Sequence, residues 1–188
     1  MSEPAQLTGP AIALLELESL ARGVAVADAV VKRAPVTLAL AEAVSPGRYL
    51  LLFHGGVGEV EESMRAGVER AGAALVDQLY LPLAAAGLVS ALEGRLEDRR
   101  GDAVGVVELA TVASALRAAD VALKRADVGL TRLQLARGIG GKGWFHLQGD
   151  LDMVEAALEA ITLAVKPPFL LATELLASPH GELRGPVL

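Results

Sequence analysis

The apolar positions of this chain fall into short continuous runs and helical stripes, in an order that occurs twice. Residues 11–17 are an apolar run interrupted only by Glu16, short enough for a buried strand. Ser19 has the character of a helix N-cap, and Leu20, Val24, Ala27 and Val31 follow at helical spacing. Pro35 stops that helix, because proline has no N–H to donate and its ring clashes with the preceding turn. Residues 36–44 and 49–53 read as strands, joined by a turn at Ser45, Pro46, Gly47 and Arg48. A second stripe, Val57, Val60, Met64, Val68 and Ala71, predicts another helix, followed by a strand at 73–81 and a short helix at 83–92.

The same order then returns. Residues 103–109 predict a strand, Thr111 a cap, 112–126 a helix and 128–136 a strand. A loop at 137–143 precedes a strand at 144–148. Asp150 caps a helix with the stripe Leu151, Val154, Leu158 and Ile161, and 169–176 is the last strand. Aligned without gaps at an offset of 92, as from Ala11 to Ala103, residues 11–44 share 11 of 34 positions with 103–136. Asp28, Lys32, Arg33 and Ala34 return as Asp120, Lys124, Arg125 and Ala126. Beyond the loop the offset is 94, as from Glu61 to Glu155, so the second loop is two residues longer. A period of half the chain implies two copies of one domain rather than a solenoid unit. The expected division is domain 1 at 9–93, a charged linker at 94–102 and domain 2 at 103–188. The expected class is α/β (α+β).

Composition sharpens this picture. Of the 188 residues, 53% are hydrophobic but only 3% aromatic. Two small domains with few large side chains gain burial by packing on each other and on further copies, so apolar surface for association is expected. A net charge of −6 argues against nucleic acid, which selects a basic face. The chain has no cysteine, which excludes disulfides and thiolate metal sites and fits the cytoplasm. The start shows no basic or apolar region of a secretion signal, and the longest uncharged stretch, 78–92, contains Pro82 and Gly87 and is too short to span a membrane.

Candidate chemistry is sparse. The loop Gly138, Ile139, Gly140, Gly141, Lys142 and Gly143 suggests a phosphate cradle, but position 136 is alanine where a P-loop needs glycine. Gly143 stands where a hydroxyl would bind magnesium, and a strand follows instead of a helix N-terminus. His54, His146 and His180 lack metal-ligand spacing, and the first two occupy different positions of the aligned strands. Asp28/Lys32 and Asp120/Lys124 read as i,i+4 surface pairs, and Glu16 and Glu108 as strand-end carboxylates. No nucleophile–base pair or carboxylate dyad is present, so no catalytic residue, metal site or cofactor is predicted.

Taken in order, these features resemble the bacterial microcompartment (BMC) shell domain. In repeat 1 they are the run from Ala11 through Glu16 to Leu20, then Ala27 to Lys32, the turn at Ser45, Pro46 and Gly47, and Phe53-His54-Gly55-Gly56-Val57 leading into a helix. Their counterparts in repeat 2 are 103–111, 119–124, 138–142 and 149–154. The resemblance implies two tandem BMC domains, each a ferredoxin-like β-α-β-β-α-β sandwich with a short extra helix. It further implies a homotrimer whose six domains mimic a hexagonal tile, in a microcompartment shell in the bacterial cytoplasm. Other BMC shell proteins, hexamers and pentamers, would be its lateral partners. Permuted relatives form gated or stacked trimers; the order here is unpermuted, which implies a single-layer tile. Certain unpermuted relatives hold an iron–sulfur cluster through cysteine, which this chain lacks. An edge motif of single-domain relatives, Arg-Pro-His, survives only in part, as Ser178-Pro179-His180 and Leu81-Pro82-Leu83.

The resemblance places Lys32 and Lys124 at tile edges, where a long stem covers apolar surface and the ammonium reaches a neighbour. It also places Ser45, Pro46, Gly47 and Arg48, with Gly138, Ile139, Gly140, Gly141 and Lys142, around a central pore. The second loop, with its glycines, is expected to be the more mobile. Arg48 and Lys142 directly follow the two loops, so six cations per trimer would attract small polar or anionic metabolites. An alternative to a shell tile is a trimeric regulatory protein that binds a small molecule. A third class, an enzyme using the glycine-rich loop, lacks a visible base beside Lys142.

Overall fold

The computed structural model describes residues 6–183. By its internal contacts the chain forms two units, Met1–Ala84 with Ala136–Gly141, and Ala85–Leu135 with Lys142–Leu188.

The first unit contains β1 (Ala11–Leu17), α1 (Leu20–Arg33), β2 (Thr37–Val44), β3 (Arg48–Gly55), α2 (Val57–Ala71) and β4 (Leu75–Leu81). Its antiparallel sheet has the order β2-β3-β1-β4. The helices cover one sheet face. Ala11, Ala13, Leu15 and Leu17 of β1 and Tyr49, Leu51 and Phe53 of β3 form a core with Val26 and Val30 of α1 and Val60 and Met64 of α2. The intervening residues of β1 are buried as well. That is why the strand reads as a continuous apolar run instead of an alternation.

The second unit contains α3 (Ala86–Leu92), β5 (Ala103–Leu109), α4 (Val112–Arg125), β6 (Gly129–Leu135), β7 (Gly143–Gly149), α5 (Leu151–Ala164) and β8 (Leu170–Ala177). Its sheet order, β6-β7-β5-β8, matches the first. Each repeat therefore has the expected β-α-β-β-α-β order. The short helix α3, counted by chain order with the first repeat, packs on α4 and β6.

Local sequence explains the helix ends. The Ser19 hydroxyl accepts from Arg22 N–H at 3.2 Å, satisfying one free donor of α1. Thr111 and Ser114 form a reciprocal capping box on α4. Asp150 occupies the N-cap position of α5 without a side-chain bond to it.

The buried face of α1 differs from the expected stripe. Leu20, Val24 and Val31 are exposed, and the helix buries Gly23, Val26 and Val30. The reason lies at Gly23, where a Cβ would sit 2.2 Å from Tyr49 Cγ. The tyrosine fills the space that an apolar side chain on the helix would otherwise take. Repeat 2 reverses the arrangement, with Ala115 at the place of Gly23 and Gly143 at the place of Tyr49. A Cβ on Gly143 would sit 2.2 Å from Ala115 Cβ. In α2, Val57 is likewise exposed, while Val60, Met64 and Ala71 of its expected stripe are buried.

Candidate functional site

The two loops implied to line a pore are both connections between paired strands. The first is a three-residue turn between β2 and β3. Gly47 adopts φ +82°, and its N–H donates to the Val44 carbonyl at 3.0 Å. Glycine is the residue that adopts this left-handed conformation without steric cost. The second loop, between β6 and β7, is held from its start. Ala136 has φ +56°, and its carbonyl accepts from Gly141 N–H at 3.2 Å.

The structure brings these two loops together in the first unit. A Cβ added to Gly141 would meet Pro46 Cδ at 3.0 Å and Ser45 O at 3.5 Å. Arg137 adds an ion pair to Glu42 of β2. Gly138 and Gly140 are exposed, Ile139 is half-buried and Gly141 is buried. Of the predicted lining residues, Gly141 therefore acts as a contact between the loops in this chain rather than as open surface.

The cations after the loops each have a carboxylate. Arg48 pairs with Glu16, a fully buried side chain of β1. Lys142 pairs with Glu108 of β5 at 2.6 Å, with both side chains well exposed. The pairing follows from sheet register. Glu16 sits opposite Leu50 and Glu108 opposite Trp144, so each cation lies two residues before the facing position, Arg48 at the start of β3 and Lys142 just ahead of β7. That diagonal is within reach of a long side chain. The field expected from Arg48 and Lys142 as free charges is thus locally compensated.

The i,i+4 pairs form as expected, with Lys32 to Asp28 at 2.7 Å and Lys124 to Asp120 at 2.6 Å. Their surroundings differ. Lys32 and Asp28 are both exposed, whereas Asp120 is buried and also accepts the Ala85 N–H at 2.8 Å. In the partial edge motif of repeat 2, Ser178 has φ +49° and His180 Nδ1 accepts from Glu182 N–H at 3.2 Å.

His54 and His146 are both buried, at non-equivalent places on β3 and β7. His54 Nδ1 lies 2.7 Å from the Thr8 carbonyl. Neither nitrogen of His146 has a partner, and Trp144 packs edge-on against its ring. Burial, with the Arg132 cation second, lowers the His146 pKa from 6.5 to about 4. Among the described residues, no group of three His, Cys, Asp or Glu is placed to hold a metal, and no helix is long and apolar enough to cross a membrane.

Two sheets of the same strand order, each with two helices on one face and with equivalent loops and ion pairs, define a tandem α/β repeat protein. Residues 11–83 and 103–179 each match the BMC domain, and the chain belongs to that family, in its class of two tandem domains. It is 37% identical over 174 residues to the bacterial microcompartment shell protein PduT of Citrobacter freundii, covering 92% of this chain and 95% of that protein. Among solved structures, a microcompartment protein of Desulfitobacterium hafniense DCB superposes with a TM-score of 0.80 at 34% identity, covering 94% of this chain and 98% of that one. A fused permuted hexameric shell protein of the RMM microcompartment superposes with a TM-score of 0.58 at 22% identity, covering 81% and 79%, and shows the fold alone.

Proposed function

We propose that this chain is a shell protein of a bacterial microcompartment in the cytoplasm, assembled as a homotrimer of single-layer, pseudohexagonal shape. The observation that carries the reading is the pair of BMC domains, matched in sequence and sheet order across almost the whole chain. Three chains supply six such domains. The role is structural, and other BMC shell proteins are its lateral neighbours.

In this reading the turn at 45–48 and the loop at 138–142 surround the three-fold axis. Because Arg48 and Lys142 are ion-paired, passage depends on the size of the opening and on the exposed glycine backbone more than on a ring of free charge. Small polar metabolites are the proposed cargo. Lys32, whose ammonium is exposed beside Asp28, and Lys124 meet neighbouring tiles.

Sedimentation equilibrium tests the trimer, which is expected near three times the chain mass of 19.4 kDa. Electron microscopy of concentrated protein tests the tile. Sheets or cages are expected from the parent and their loss from the Lys32→Ala/Lys124→Ala variant, with the trimer intact. A discrete trimer that never forms sheets and binds a metabolite saturably favours the regulatory reading instead.

A further inference from the structure

One cleft of the first unit is charged where the equivalent positions of the second are not. It has a volume of about 750 Å³ and lies between the start of α1 and the end of α2. Glu18 and Arg22 line it from the α1 side and Glu69 and Arg70 from the α2 side, with Ala29 and Ala66 along the helices. Arg22 and Ala29 are seven residues apart and share a side of α1. Leu20, Val24 and Val31 each stand two residues from one of them, about 200° round the helix. The cleft is therefore on the far side of α1 from that exposed apolar stripe.

None of the four charges is matched within the chain. Other cations, such as Arg33, Arg48 and Lys124, sit on a carboxylate. Among the described residues, Glu18, Arg22, Glu69 and Arg70 form no ion pair with each other or with a neighbour. The fold does not call for these charges. Their equivalents in the second repeat, 92 positions on for the first two and 94 for the others, are Ala110, Ser114, Leu163 and Ala164, and the same helices form there. The backbone around the cleft is tied on both sides. The Glu18 N–H donates to the Ala74 carbonyl at 3.0 Å, the Ser19 hydroxyl caps α1, and Gly72 closes α2 with φ +55° and an N–H bond to the Val68 carbonyl. An unpaired guanidinium on each side of a preformed cleft of small-molecule size suits an anionic group, which such a planar fork holds by paired hydrogen bonds.

We propose that this cleft binds a small organic anion that also carries hydroxyl or ammonium donors. Its carboxylate or phosphate group lies between Arg22 and Arg70, and Glu18 and Glu69 accept hydrogen bonds from its donors. The two carboxylates select against an anion without donors, which would meet them with like charge and nothing to give. Leu17, next to Glu18, pairs with Tyr49 near the start of β3. The cleft is therefore at the end of the sheet that carries the turn at 45–48, and a solute held there stands beside the proposed opening. Binding needs one chain alone, and only its service to passage rests on the pore reading.

The test is isothermal titration calorimetry on the full chain. L-serine, L-lactate and glycerol 3-phosphate are the probes, and acetate and sulfate are the anions without donors. At least one probe should bind saturably at one site per chain, and which one binds tells carboxylate from phosphate. Acetate and sulfate should bind at least about tenfold more weakly, since they leave both carboxylates unsatisfied. Arg22 and Arg70 are exposed, so Arg22→Gln and Arg70→Gln leave the fold intact. Each should raise the dissociation constant roughly tenfold or more, through the loss of hydrogen bonds between charged groups. No saturable binding of any probe up to about 10 mM, well above a millimolar dissociation constant, overturns the inference. So does binding that both arginine variants retain, or acetate and sulfate binding as tightly as the probes. Sedimentation separates these outcomes from the trimer and pore reading. A parent of three chains that binds no probe loses the site alone, whereas a parent of one chain that binds keeps the site and loses its place beside a pore.

Discussion

The two repeats reach one backbone by different side chains. Gly23 beneath Tyr49 in the first becomes Ala115 beneath Gly143 in the second. Leu52 on β3 becomes His146 on β7, and the Arg48–Glu16 pair, with its carboxylate buried, becomes the exposed Lys142–Glu108 pair. The element order and sheet topology survive all three exchanges. The pattern of apolar runs and stripes is therefore sufficient to select the fold, while individual packing partners must only be complementary to each other.

The largest expected separation between the repeats is electrostatic. Arg48→Ala leaves the Glu16 carboxylate buried without its cation, and breaking a buried pair in this way costs about 3–5 kcal/mol. Lys142→Ala breaks a pair held near solvent, and should cost less than about 1 kcal/mol. Urea unfolding of the two variants measures the difference. Adding Glu16→Gln to Arg48→Ala should recover much of the loss, because the stranded charge is gone. Equal costs for the two alanine variants would show that Glu16 is not desolvated as its burial indicates.

How much of this was legible in the sequence varies with the kind of contact. The strands and helices were readable because each is a local pattern, and the repeat displayed the β-α-β-β-α-β order twice. The buried face of α1 was misread because Gly23 has no side chain to count, and its partner Tyr49 lies 26 positions away on another strand. The ion pairs of Arg48 and Lys142 depend on cross-strand register, which no single strand records. Their signal was nevertheless present, since Glu16 with Glu108 and Arg48 with Lys142 occupy equivalent positions. The packing of α3 on the second unit was hidden for another reason. Order along the chain does not say on which neighbour a connecting helix folds.

His146 offers a pH-dependent test of the comparison. Its folded pKa lies near 4 because burial opposes the charged form, below the ordinary value of 6.5. As pH falls through 6.5, the unfolded chain takes up a proton that the folded chain refuses. Stability from this group is complete above about 6.5 and is lost progressively down to about 4. At 1.36 kcal/mol per unit the loss is on the order of 3 kcal/mol. His146→Leu copies Leu52 of the first repeat and should remove that part of the slope. It should also stabilise the protein by about 1 kcal/mol near neutral pH, since two unpartnered buried nitrogens disappear. Matching pH slopes for parent and variant would place the histidine in contact with water.

The smallest expected effect is the most specific. Gly23→Ala should improve α1 by about 1 kcal/mol on helix propensity alone. In this protein it introduces a Cβ at 2.2 Å from Tyr49 Cγ and 2.6 Å from Tyr49 Cβ. Those atoms lie next to the β3 backbone, so the ring cannot swing away without moving the strand. Overpacking of this kind costs about 1–3 kcal/mol and should exceed the gain, giving a net loss by thermal or urea unfolding. On a Tyr49→Gly background the clash has no partner. There the pair becomes alanine over glycine, as at Ala115 and Gly143, and the same Gly23→Ala change should turn stabilising. The reversal of sign isolates the complementarity from the large and separate cost of removing the tyrosine. If Gly23→Ala destabilises equally on both backgrounds, the helix and strand are not matched through this pair, and the exchange between the repeats has some other cause.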